Sequence, residues 1–115
     1  MSLSPIEYLR HILDEANFLM DSIKDLQREE FFRDKILKRA AARSIAIMGE
    51  AAKKLSVEFR EKHSNIEWKA IAGMRDKLIH DYFGIDYEIV WDAIVNKVPK
   101  LKREIEVAMK DESAS

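Results

Sequence analysis

The stretch SPIEYLRHILDEANFLMDSIKDLQ, residues 4–27, decides the fold class. Ser4 suits a helix N-cap, Pro5 suits the first helical position, and Glu7 can reach back to complete a capping box. Behind that start, Ile6, Leu9, Leu13, Ala16, Met20 and Ile23 recur at alternating steps of three and four. Ile12, Leu19 and Leu26 widen this stripe into a face able to bury against a core. The pattern predicts a helix from Pro5 to Gln27.

The same period continues downstream. Gln27-Arg28-Glu29-Glu30 reads as a short polar corner, followed by a second long helix with the stripe Leu37, Ala41, Met48, Ala51, Leu55 and Phe59. Ala40, Ala41, Ala42, Ala46, Gly49, Ala51 and Ala52 make its surface small-sided. That suits either close approach of another helix, from this chain or a partner, or simply good propensity in a core helix. Ser64-Asn65-Ile66-Glu67 fits a second capping box, restarting the chain as a helix near Trp68. This third helix carries Ile71, Met74, Leu78 and Ile79 and is expected to end near Phe83-Gly84, with Gly84 as a left-handed cap. Asp86 is the expected N-cap of a fourth helix holding Ile89, Val90, Ala93, Ile94 and Val98. Pro99 should kink that helix or begin a new segment with Leu101, Ile105 and Met109. Residues 111–115 read as a frayed tail. The expectation is an all-α bundle of four to five helices, forming a single domain over residues 1–115.

Composition agrees. Three glycines and two prolines in 115 residues leave little material for the turns of a sheet. The absence of cysteine removes disulfides, thiolate nucleophiles and zinc–sulfur sites, and fits an intracellular setting. No apolar run reaches a membrane span and no secretory signal is visible, so the expected location is the cytoplasm, without membrane contact. The net charge is −1, whereas a general nucleic-acid binder carries a basic excess. Any nucleic-acid contact should therefore be local.

The chemistry has few possible seats. His11 and His63 lie in strongly charged sequence and read as solvated surface histidines. There is no Glu-x-x-His pair, no Gly-rich phosphate loop and no Gly-x-Ser-x-Gly elbow, so neither a metal nor a cofactor is expected. What is left is Arg75-Asp76-Lys77-Leu78-Ile79-His80-Asp81-Tyr82, an R-x4-H-x-Y pattern. Taken by itself it also fits a plain helix end, with Arg75 paired to a carboxylate and Tyr82 packed.

The flanking words give the pattern more weight. Gly49-Glu50-Ala51, Trp68-Lys69-Ala70-Ile71-Ala72-Gly73-Met74-Arg75, His80-Asp81-Tyr82-Phe83-Gly84-Ile85-Asp86 and Ile89-Val90-Trp91 together resemble HepT-like proteins of the HEPN class. The resemblance is close from Arg43 to Leu101. It implies a HEPN-type antiparallel helical bundle that pairs as a homodimer. It also implies a metal-independent endoribonuclease, the toxin of a toxin–antitoxin pair. The implied antitoxin is a small MNT-type nucleotidyltransferase that silences the toxin by adding AMP to the motif tyrosine. Carried over by position, Arg75 and His80 are catalytic and Tyr82 is the modification site.

RNA brings its own nucleophile, the 2′-hydroxyl, so cleavage needs proton transfer and charge stabilisation. An imidazole such as His80 can move the proton, and a guanidinium such as Arg75 can hold the phosphate. On an ideal helix Arg75 and His80 lie about 140° apart. Convergence of long side chains in a groove, combined with meeting across a dimer, is the expected resolution. Arg43 and Glu50 share a helix face and could support the motif or form an ordinary ion pair, the second being favoured. Asp76 stands where the resemblance leads one to expect asparagine, and could either hold Arg75 or weaken an anion site. The alternative function is a non-catalytic helical module that binds nucleotide or serves a nucleotidyltransferase complex as an accessory subunit.

Overall fold

The computed structural model describes residues 3–79 and 84–114, and these are all-helical. Four longer helices carry the fold: α1 (Pro5–Ser22), α3 (Lys35–Lys54), α5 (Trp68–Leu78) and α7 (Val98–Ala114). Three six-residue helices, α2 (Arg28–Arg33), α4 (Val57–Lys62) and α6 (Tyr87–Asp92), lie between them, and a π-helical turn, Ala93–Lys97, joins α6 to α7. The described residues thus form seven α-helical segments where four to five helices were expected.

α1 starts as its sequence dictates. The Glu7 amide donates to Ser4 Oγ at 3.3 Å, and Leu9, Ile12, Ala16 and Leu19 are buried on one stripe. It ends at Ser22, five residues short of the expected Gln27. Ser22 Oγ donates back to the Phe18 carbonyl at 2.6 Å, the competing bond that disfavours this residue type inside helices. Gln27–Glu30 is not a corner. The Gln27 amide donates to the Glu30 carboxylate at 2.9 Å, and that reach-back starts α2. α2 buries Phe31, whose ring centroid lies 5.2 Å from that of Trp91, and Arg28 pairs with Glu88.

α3 occupies the centre, packed against α1 on one side and α5 on the other. This explains its small-sided surface, with Ala41, Ala42, Ser44, Ala51 and Ala52 all buried. At Gly49 a Cβ would stand 3.0 Å from the Ile71 carbonyl oxygen, so α3 and α5 meet there backbone to backbone. The expected continuous helix to Phe59 is interrupted. Leu55 is extended and Ser56 Oγ accepts from the Phe59 amide at 3.1 Å, which restarts the chain as α4. Ser64 does not cap α5: Glu67 is the N-cap and makes no side-chain cap bond. The indole of Trp68 donates instead to the His63 carbonyl at 3.0 Å, fixing the entry to α5.

Asp86 caps α6 as expected, accepting from the amides of Glu88 and Ile89. Pro99 is the second residue of α7, in the first turn of the new segment that was one of its two expected effects. The π turn before it, closed by the Val98 amide on the Ala93 carbonyl, widens the helix where a proline ring would strike the preceding turn. α7 then packs on α1 and runs to Ala114, where a frayed tail was expected. No helix among the described residues is long and apolar enough to cross a membrane.

Candidate functional site

α5 carries the first half of the motif. Trp68, Ile71 and Leu78 are buried on one line of the helix. Arg75 lies on that same line, four residues after Ile71 and three before Leu78, yet it is exposed. The core-facing stripe therefore opens to solvent at Arg75. Among the described residues, Arg75 makes no ion pair and no side-chain hydrogen bond, and neither does Asp76. The expected alternatives of Arg75 held by a carboxylate, or by Asp76 itself, are not what the structure shows.

α5 ends at Leu78, not near Phe83-Gly84. Ile79 is already extended, with φ −101° and ψ 116°, and its amide closes the last turn on the Arg75 carbonyl. The ideal-helix angle between Arg75 and His80 therefore does not apply, because α5 stops before His80. His80, Asp81, Tyr82 and Phe83 lie outside the described residues, and the expected roles of His80 and Tyr82 fall on them. Both flanks of this segment are anchored. Ile79 forms an isolated antiparallel bridge with Ile85, and the Asp86 amide donates to the Leu78 carbonyl at 2.7 Å. Gly84 takes φ +103°, in line with its expected left-handed character, but it is not the cap of α5.

The electrostatics of this helix end are mixed. Arg75 and Lys77 face the partial negative charge of the last turn, which favours cations and repels a phosphate. Asp76 adds a full negative charge between them. Any anion held here is held by side-chain cations and not by the backbone.

The supporting residues separate. Glu50 is exposed and pairs with Lys53 at 3.7 Å, not with Arg43. Seven residues are about 10 Å of helix rise, too far for a direct pair. Gly49, beside Glu50, has the clearer structural duty, since it sets the α3–α5 approach and thereby the position of α5.

Of the two histidines read as solvated, His11 is exposed, but His63 is buried, at 6% exposure. Its ring lies 4.7 Å from that of Phe59, and Nε2 is 2.8 Å from Glu112 Oε2. Lys62 Nζ reaches the same oxygen at 2.9 Å. These contacts hold the Glu112 carboxyl below its ordinary range, through the His63 bond first and the Lys62 bond second. The charged neighbours of His63 in sequence concealed the aromatic ones it meets in space. Ser56 and the Phe59–His63 spacing of four were the available signals.

Comparison with known proteins adds a family. Residues 12–108 match the family described as Ribonuclease HepT-like. The chain is 49% identical over 109 residues to a protein of Caldanaerobacter subterraneus subsp. tengcongensis named "Putative RNase", a match covering 95% of this chain and 97% of that one. A protein of Methanocaldococcus jannaschii with the same style of name is 44% identical over 104 residues, covering 90% of this chain and 86% of its own. The "Probable ribonuclease HepT" of Thermococcus cleftensis is 35% identical over 106 residues, covering 92% and 96%. No solved structure matches the chain.

Proposed function

Because the chain belongs to the HepT-like ribonuclease family, we propose that it is a metal-independent endoribonuclease toxin that uses Arg75 and His80 to cut RNA. The observation that carries this reading is Arg75 itself. It is a permanent forked cation on an otherwise core-facing line, exposed and without a partner among the described residues. A structural arginine at such a place would be expected to pair.

In the proposed reaction the 2′-oxygen bonds to phosphorus as the bond to the 5′-oxygen breaks. One imidazole accepts the 2′-hydroxyl proton and another supplies a proton to the leaving oxygen. Arg75 holds the phosphate as its charge grows. A single His80 serves poorly as both base and acid, so a homodimer, with a second His80 and a second Arg75, gives the reaction both. The exposure of Arg75 and of neighbouring Ile79 on one helix end supports such pairing. In this reading the protein acts in the cytoplasm, and an MNT-type nucleotidyltransferase antitoxin silences it by adding AMP to Tyr82. The added bulk and negative charge would turn away an RNA phosphate.

The net charge of −1 favours the second reading, a non-catalytic nucleotide-binding or accessory subunit. The two separate in one experiment: RNA cleavage with EDTA present, comparing protein free of modification at Tyr82 with His80→Ala. Cleavage lost in the variant is expected. Equal cleavage by both proteins removes His80 from the mechanism, and cleavage by neither points to the second reading.

A further inference from the structure

The far end of the motif segment leads straight into α6. The Asp86 amide donates to the Leu78 carbonyl at 2.7 Å, and the next residue, Tyr87, opens α6. Whatever sets the position of α6 therefore sets the far end of the segment that contains His80 and Tyr82.

Packing of α6 toward α5 is incomplete. Ile89 borders a cavity of about 310 Å³ that lies between α3, α5, α6, the π turn and α7. A gap of this kind forfeits the dispersion contacts that would hold the helix from that side. Tyr87 and Trp91, one turn apart, lie around the helix from Ile89, and these are braced. Phe31 of α2 is fully buried against Trp91, with ring centroids 5.2 Å apart. Lys38 of α3 sets Nζ 4.7 Å from the centroid of the Tyr87 ring, and the same ammonium donates to the Phe32 carbonyl at 3.2 Å. One cation thereby joins α2, α3 and the first residue of α6.

The contacts of this brace differ in kind. Arg28 pairs with Glu88, but both groups are exposed, and exposed pairs contribute little. Phe31 against Trp91 belongs to the core, so its loss would cost the fold as a whole. Lys38 is half-buried, where a cation over an aromatic face counts for more than it does in open solvent. It can set the seat of α6 without holding up the rest of the bundle. We infer that Lys38 is a positioning residue: through the Tyr87 ring it fixes the start of α6, and through the Asp86–Leu78 bond the far end of the segment containing His80. The catalytic part of this role rests on the ribonuclease reading, and the placement of the segment does not.

Amide hydrogen exchange of the full chain reads the placement, and steady-state RNA cleavage by protein free of modification at Tyr82 reads its consequence. Lys38→Met removes the cation and keeps an unbranched stem, while Lys38→Arg returns a cation that stacks on rings and donates. Tyr87→Leu removes the ring, and Tyr87→Phe keeps it. Lys38→Met and Tyr87→Leu should each speed exchange of the Asp86 amide about tenfold, with Ile12 and Ile45 in the core unchanged. The same two variants should lower kcat about tenfold at constant KM, because the reacting groups are misplaced and not removed. Lys38→Arg and Tyr87→Phe should restore both readings, and the double variant Lys38→Met with Tyr87→Leu should add little to either alone.

Unchanged exchange at Asp86 overturns the inference. Exchange raised equally at Asp86 and in the core also overturns it, by assigning Lys38 to general stability. Faster exchange at Asp86 with kcat unchanged, or with KM alone raised, removes the catalytic part. If the unmodified wild type cuts no RNA, the ribonuclease reading fails and exchange at Asp86 still decides the placement.

Discussion

His63 Nε2 and Glu112 Oε2 stand 2.8 Å apart, tying the end of α4 to the last turn of α7 across 49 positions of sequence. Glu112 is largely covered, with 16% of its side chain exposed, and Lys62 bonds the same oxygen. Glu112→Gln should cost about 1–2 kcal/mol, because it leaves His63 without its charged acceptor in a buried place. The carboxyl is held below its ordinary value, so its contribution is present above the unfolded carboxylate range and is lost as pH falls through the depressed folded value. Thermal melts from neutral pH down to acid should show the wild type losing its advantage over Glu112→Gln. A constant difference across that range would refute the linkage.

The two helical glycines of α3 and α5 should respond with opposite signs. Gly49→Ala forces a Cβ to within 3.0 Å of the Ile71 carbonyl, whereas at Gly73 nothing lies within 4 Å. Gly49→Ala should lose about 1–2 kcal/mol once the gain in helix propensity is set against overpacking. Gly73→Ala should gain up to about 1 kcal/mol. Denaturant midpoints compare them directly, and equal shifts would contradict the backbone contact.

Arg75→Ala should separate activity from stability. The side chain is exposed and has no partner among the described residues, so unfolding free energy should stay within about 0.5 kcal/mol of wild type. Cleavage should fall about 100-fold or more if Arg75 stabilises the phosphate in the transition state. A comparable loss of fold would show that Arg75 is structural after all.

Glu50 and Arg43 should behave as independent surface residues. A double-mutant cycle with Arg43→Ala and Glu50→Gln should return a coupling near zero, below about 0.3 kcal/mol, since Glu50 is engaged with Lys53. Coupling above about 1 kcal/mol would require a contact between them that this chain alone does not make.

The long helices were legible because burial follows spacing: Leu9, Ile12, Ala16 and Leu19 lie inside where steps of three and four put them. Asp86 was legible for a local reason, as a short acceptor directly before an apolar run. The interruptions were harder. Ser22, Gln27 and Ser56 each divert a backbone group with a side chain, and such competition hardly disturbs the hydrophobic period. His63 was misread because burial is decided by neighbours in space, here Phe59, Trp68 and Glu112, while its sequence neighbours are charged. At the candidate site, the type of Arg75 and its place near a helix end were readable. The end of α5 at Leu78 was not, since Ile79 continues the apolar pattern while its backbone is extended. The cavity beside α5 could not be read at all, because it joins residues of five separate elements.

The π turn at Ala93–Lys97 also works as a phase marker for everything after it. Val90 is buried before it, Ala93 and Ile94 within it, and Leu101, Ile105 and Ala108 after it, so the apolar side stays on one core through the widened turn. One residue of α-helix corresponds to about 100° of rotation. Adding a residue to this already widened turn would therefore do more than lengthen a rod: it would swing the apolar side of α7 away from α1 and turn Glu112 away from His63. Length is fixed here as strictly as identity is fixed in a core, although Val95, Asn96 and Lys97 all lie on the surface.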